Sequence, residues 1–126
     1  MPIDVPTSAK VKLHKLSKSK DILAFKKQGA SDECITTAFF HILIKNNQLG
    51  YSRMNVLVPK KIISKATGRN SFKRIIKECI RRSFASKPFY QLDILVIARK
   101  YAKTVSKKDL NEAINQAIMK LQKQYN

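Results

Sequence analysis

The chain has 126 residues, enough to bury the core of one domain but not of two. Hydrophobic residues make up 44% of it, which argues for folding, yet 26 Lys and Arg stand against 8 Asp and Glu, a net charge of +18. That imbalance points to a polyanionic partner, nucleic acid first; no apolar run nears the ~18 residues of a membrane span, and Met1–Ala9 lacks the form of a secretory signal, so a soluble, intracellular protein is expected.

Residues 1–15 combine Pro2, Pro6, Lys10, Lys12 and Lys15 with little periodicity, and read as a basic, partly ordered arm before a single domain over residues 16–126. A first helix is predicted from about Ser17 to Gln28, capped by Ser17 or Ser19, with Asp21 in its first turn and Gly29 at its end. Leu16, Ile22, Leu23 and Phe25 supply its apolar side. The run Thr36–Ile44 is β-branched and aromatic and reads as a strand, which Cys34 and Ile35 extend. Asn46–Gly50 is a turn segment, and Arg53–Val58 a second strand ended by Pro59.

A long helix is predicted over Ser64–Ser86, with Gly68 a weak point and Lys87-Pro88 its stop. Leu92–Ala98 is nearly continuously apolar, as suits a central strand buried on both faces. Ser106-Lys107-Lys108-Asp109 has the form of a capping box, opening a helix with Leu110, Ala113, Ile114, Ala117, Ile118 and Leu121 on one face. The order α, β, β, α, β, α is that of a mixed α+β sandwich.

Within the long helix, Arg69–Arg82 separates into two faces at roughly 100° per residue. Phe72, Ile75, Ile76, Cys79 and Ile80 gather on one side. Arg69, Lys73, Lys77 and Arg81 form an i, i+4 ladder on another, with Asn70 and Arg74 beside it. Like charges at this spacing repel by a few tenths of a kcal/mol per pair, so the ladder calls for an external anion. Glu78 is the only acid between Val56 and Leu92, and Lys60, Lys61 and Lys65 carry the positive charge up to the helix. A purely solvated face would carry mixed signs. Arg and Asn can also reach riboses and base edges.

Residues for chemistry are scarce. The acids Asp4, Asp21, Asp32, Glu33, Glu78, Asp93, Asp109 and Glu112 are scattered, and with three glycines in the chain there is no Gly-rich phosphate loop. His14 and His41 stand apart from any Ser, Cys or Asp that would make a nucleophile pair. Cys34 and Cys79 lack metal-ligand spacing, and Cys79 reads as a small core residue. The polypeptide itself reads as non-catalytic, with no protein metal site. Phe39 and Phe40 are adjacent in a strand, so their side chains should leave on opposite faces, one of them free to stack on an unpaired base.

Arg69-Asn70-x-x-Lys73-Arg74-x-x-x-Glu78-x-x-Arg81 resembles the RNR signature of the bacterial ribonuclease P protein family. Pro59-Lys60-Lys61 resembles its Ser-Lys-Lys strand end, Lys65-Ala66 its Lys-Ala, and Asp93–Lys100 its Asp-aromatic-Val-Val-Ile-Ala-Arg strand. Leu16, Asp21 and Gly29 also fit the family's first helix, and the likeness spans about residues 14–121. It implies an α+β fold of the ribosomal protein S5 domain 2-like kind: a small four-stranded sheet in αβββαβα order, with a left-handed βαβ crossover. The implied function is that of the non-catalytic protein subunit of a ribonucleoprotein endoribonuclease, which removes the 5′ leader of precursor tRNA. Hydrolysis, with Mg2+, falls to the RNA subunit, bound 1:1 in the bacterial cytoplasm without a membrane.

Carried over by position, the RNA-subunit contacts are Lys60, Lys61, Lys65, Arg69, Asn70, Lys73, Arg74, Lys77 and Arg81. Ile22, Phe25, Phe39, Phe40 and Ile42 are the candidates for the leader cleft between first helix and sheet. Ser71 stands where the signature has its second Arg, Pro59 where it has Ser, and the segment Ile62-Ile63-Ser64 is one residue longer and lacks the usual Gly. Ile22 and Lys26 replace aromatics common in the cleft. The alternative is a structural RNA-binding protein such as a ribosomal protein.

Overall fold

The computed structural model describes residues 13–16, 33–47, 49, 51–86 and 91–125. The predicted first helix, with Ile22 and Phe25, and most of the basic arm lie outside the described residues. Five strands form one sheet: β1 (His14–Lys15), β2 (Glu33–Thr36), β3 (Phe40–Asn46), β4 (Arg53–Leu57) and β5 (Leu92–Ala98), in spatial order β1-β4-β5-β3-β2. Two helices follow β4 and β5, α1 (Ala66–Ser86) and α2 (Lys107–Tyr125), with a short 3-10 turn at Lys100–Lys103. The α+β class holds, with five strands rather than four.

The two strands beyond the three read from the sequence pattern, β1 and β2, have physical causes. The predicted strand over Thr36–Ile44 breaks into β2 and β3, because the Thr37 hydroxyl competes for the local backbone. Its Oγ1 accepts from the Phe39 and Phe40 amides at 3.2 Å each, while the Thr37 amide donates to the Phe40 carbonyl at 2.9 Å. The chain thereby turns back, and β2 pairs antiparallel with β3, Thr36 opposite His41. At the end of the basic arm, His14 and Lys15 run parallel to β4, and Asn55 ties that edge down by donating from Nδ2 to the Leu16 carbonyl at 2.8 Å.

β5 is the central strand, antiparallel to β3 and parallel to β4, and six of its seven residues are buried. That matches its unbroken apolar sequence. Side-chain alternation then sends Ile94 and Val96 toward the helices and Leu95 and Ile97 to the other face. On the helix side, Phe40, Ile42, Ile44, Met54 and Val56 meet Phe72, Ile76 and Ile80 of α1 and Leu110, Ile114, Ile118 and Leu121 of α2. On the far face Leu16 and Leu95 form a second cluster with Leu43, Leu57 and Ile97 against it.

The helix termini follow the sequence signals. Ser106 Oγ accepts from the Asp109 amide at 3.1 Å, the first half of the predicted capping box. Gly68 lies in the first turn of α1, where a Cβ would come within 2.8 Å of Ile63 Cγ2, so glycine lets the preceding segment close onto the helix. α1 and α2 are also stitched by polar contacts: Cys79 Sγ donates to Asn111 Oδ1 at 2.7 Å, and Gln122 Nε2 to the Ser83 carbonyl at 2.9 Å. Burial pushes the Cys79 thiol above its ordinary proton affinity, as befits a core donor.

Candidate nucleic-acid interface

α1 turns its apolar stripe inward and leaves its cations outside. Phe72, Ile76, Cys79, Ile80 and Phe84 are buried, and Ile75 is partly so. The opposite side carries a shallow open groove of about 340 Å³ lined by Asn70, Lys73, Arg74, Lys77, Glu78 and Arg81. Five of the nine residues carried over as RNA contacts thus share one surface: Asn70, Lys73, Arg74, Lys77 and Arg81. Ser71 is exposed on the same helix. The first turn of α1 contains no acid, so nothing within it offsets the positive end of the helix dipole.

Lys60, Lys61 and Lys65 are exposed but stand outside that groove. Lys60 and Lys61 occupy a turn closed by the Ile62 and Ile63 amides, which donate to the Pro59 carbonyl at 2.9 and 3.1 Å. Lys65 precedes the helix and its carbonyl accepts from the Arg69 amide at 3.0 Å. Positive charge therefore continues around the helix start.

Arg69 has a role that the charge ladder did not reveal. Its Nη1 donates to the Ile63 carbonyl at 3.1 Å and the Ser64 carbonyl at 2.6 Å, clamping the segment that leads into α1. A guanidinium has five N–H donors, so Arg69 can hold this loop and still present donors outward.

Lys77 is a half-buried ladder member facing the sheet edge. Its proton affinity is lowered first by burial of the ammonium, then by the charges of Lys15, Lys73 and Arg81. One of those neighbours, Lys15, comes from β1 and not from α1. Linear spacing could not have placed it there.

The leader-cleft candidates divide. Phe40 and Ile42 are 0% exposed and point into the core beneath α1 and α2, so neither can line a cleft. The expected separation of Phe39 from Phe40 on opposite faces does not hold: Phe39 lies in the bend before β3, half-buried, and packs against the edge of the same core as Phe40. The far face of the sheet instead presents Leu43, Leu57 and Ile97 partly exposed.

Among the described residues no three His, Cys, Asp or Glu side chains come together. Asp93 is committed elsewhere: its carboxylate accepts from Arg53 Nε at 2.8 Å and Nη2 at 2.6 Å, and from Asn47 Nδ2 at 2.8 Å. His41 Nδ1 lies 3.0 Å from Thr36 Oγ1. No helix among the described residues is long and apolar enough to cross a membrane.

The family model for Ribonuclease P matches residues 11–122. A ribonuclease P protein component from Aliivibrio fischeri is 42% identical over 76 residues, 60% of this chain and 63% of the relative, so this chain covers less than two thirds of that relative's length. One from Legionella pneumophila is 34% identical over 69% of this chain and 73% of its own. Among solved structures, an RNase P protein from Staphylococcus aureus shares 26% identity with a TM-score of 0.74, covering 91% of this chain and 100% of its own. One from Thermotoga maritima shares 28% with a TM-score of 0.63, over 86% and 95%.

Proposed function

The chain belongs to the ribonuclease P protein family, and from that premise we propose that it is the protein subunit of a ribonucleoprotein that trims the 5′ leader from precursor tRNA. The observation that carries the reading is the groove on α1, where four cations and an amide side chain share one face with Glu78 as the single acid. A catalytic RNA laid along it supplies the anion that the ladder lacks. On this reading the RNA holds Mg2+ and performs the hydrolysis, one protein binds one RNA, and both work in the bacterial cytoplasm. The protein offers a preformed docking surface, because α1 is pinned by its apolar stripe and by its stitches to α2.

Precursor tRNA is the second RNA in this assembly. Its unpaired leader fits the far face of the sheet better than the buried Phe40 and Ile42. Leu43, Leu57 and Ile97 offer partly exposed apolar surface there, and His41 lies on the same side of β3 as Leu43.

The test is reconstitution. At low magnesium, the protein should raise cleavage of a 5′-extended tRNA by a ribonuclease P RNA, while protein alone cleaves nothing. The variant Lys73→Ala with Arg74→Ala should weaken RNA-subunit binding at least tenfold at moderate salt and flatten its salt dependence, since each lost phosphate contact removes about 0.7–0.9 from the log–log slope. Circular dichroism should be unchanged. RNA binding without any stimulation of cleavage would instead favour a structural RNA-binding protein.

A further inference from the structure

We propose that Lys15 of β1 and Lys77 of α1 form a shared subsite for one RNA backbone phosphate, carrying the RNA surface from the helix onto the edge of the sheet. The inference rests on α1 being the RNA-binding face and extends it to a residue outside the helical signature.

The geometry comes from strand alternation. β1 runs parallel to β4 with His14 opposite Arg53 and Lys15 opposite Met54. Residues directly opposite one another leave the same face of a sheet. Met54 is buried in the core on the helix side, and Leu13, two residues before Lys15, packs against that same core. Lys15 therefore leaves on the α1 side. Its neighbours leave on the other: Leu16 joins the far cluster with Leu95, and the His14 ring sits 4.3 Å from that of Tyr51.

Position does the rest. β1 is the edge strand beside β4, and α1 packs on β4, so a side chain leaving β1 on that side emerges next to the helix. Lys15 is exposed there, while Lys77 is half-buried in the adjoining groove. Their ammonium groups are near enough that Lys15 is the leading charge acting against protonation of Lys77, ahead of Lys73 and Arg81. Three cations of one surface thus crowd onto a fourth that has already lost part of its hydration. An anion placed between the β1 and α1 ammoniums relieves that repulsion on both sides at once.

The chemistry of the donors defines the ligand. Lysines act as compact point charges with rotatable donors and lack the flat fork by which arginine reads paired oxygens. A subsite built from two of them suits a singly charged phosphodiester and conveys no base sequence. Lys15 should therefore add affinity and salt dependence without changing which RNA is preferred.

The experiment titrates ribonuclease P RNA into full-length protein and its Lys15→Ala, Lys77→Ala and doubly substituted forms, between 50 and 200 mM salt. Loss of one contact removes roughly 0.9 at most from the log–log slope, so wild-type affinity should fall about threefold further across that range than that of Lys15→Ala. Because the two lysines share one phosphate, the double variant should lose little more than either single one. Side-chain NMR of the free protein provides a second reading: Lys15→Ala should move the Lys77 titration up toward that of an ordinary lysine. An unchanged affinity and slope for Lys15→Ala overturns the proposal, as do losses that multiply fully in the double variant or a Lys77 titration that stays put. Arg74→Ala separates the two levels of inference. If it weakens binding while Lys15→Ala does not, only the shared subsite falls; if neither matters, the reading of α1 as the RNA face falls as well.

Discussion

Charge is used in opposite ways at two places in this molecule. On the outer face of α1 the cations Lys73, Arg74, Lys77 and Arg81 share a groove whose single acid is Glu78. At the end of the sheet where β4 begins, Arg53 and Asp93 meet in a two-pronged ion pair, with side chains only 15% and 8% exposed, and Asn47 adds a further donor. The second arrangement is electrically closed and holds β4, β5 and the Asn47 turn in place. The first is open and weakens the free protein slightly. Paired charge here serves the fold, and unpaired charge is what remains for a partner.

Breaking the closed pair gives the largest effect. Asp93→Ala should strand Arg53 without its carboxylate and lower stability by about 3–5 kcal/mol, the range for removing one partner of a buried pair. Urea unfolding measures this directly. Affinity of the still-folded fraction for the RNA subunit should hardly change, because Asp93 lies on the far face of the sheet from α1. If affinity collapsed while stability held, the division between paired and open charge would be wrong.

Arg69 straddles the two classes and sharpens the comparison. It belongs to the ladder, yet its Nη1 holds the Ile63 and Ser64 carbonyls. Arg69→Ala should therefore cost about 1–2 kcal/mol of stability, as expected for losing charge-assisted hydrogen bonds at a partly solvated site. It should also weaken RNA binding. Arg74→Ala, exposed on the same helix, should weaken binding with stability unchanged. The pair of variants, compared by thermal unfolding and by RNA titration, separates the arginine that builds the surface from one that only uses it.

What was legible in the sequence is what has a short period. The two faces of α1, the capped start of α2 at Ser106 and the doubly buried β5 each announce themselves within a few residues, through spacing or an unbroken apolar run. Five of the carried-over RNA contacts then meet in one groove because they share a helix. The rest depends on partners distant in the chain. The Arg53–Asp93 pair spans forty residues, and β1 is two residues long with no alternation to betray it. The turn at Thr37 was hidden by its composition, because Thr and Phe favour strands and only the hydroxyl's capture of two amides breaks the run. The burial of Phe40 and Ile42 is hidden for a related reason: alternation says that neighbours in a strand part company, but not which face the helices cover.

The smallest expected effect concerns pH. Burial, followed by the charge of Arg99, lowers the proton affinity of His41 below its ordinary value. Arg99 is fixed nearby, its Nη1 donating to the Thr37 carbonyl at 2.8 Å. Between the ordinary histidine pKa and the lowered one, the unfolded chain binds the proton and the folded chain does not. Stability from this group is therefore complete above the ordinary value and is lost as pH falls through that window. Lys77, also lowered, follows the same sign in a separate alkaline window, where stability should rise as its ammonium discharges. His41→Gln should flatten the acid-side slope of a denaturation series and leave the alkaline rise intact, whereas Lys77→Gln should do the reverse. An acid slope that survived His41→Gln would place the titrating group elsewhere. An alkaline rise abolished by His41→Gln would mean that the β2–β3 turn and the α1 surface are not electrostatically separate.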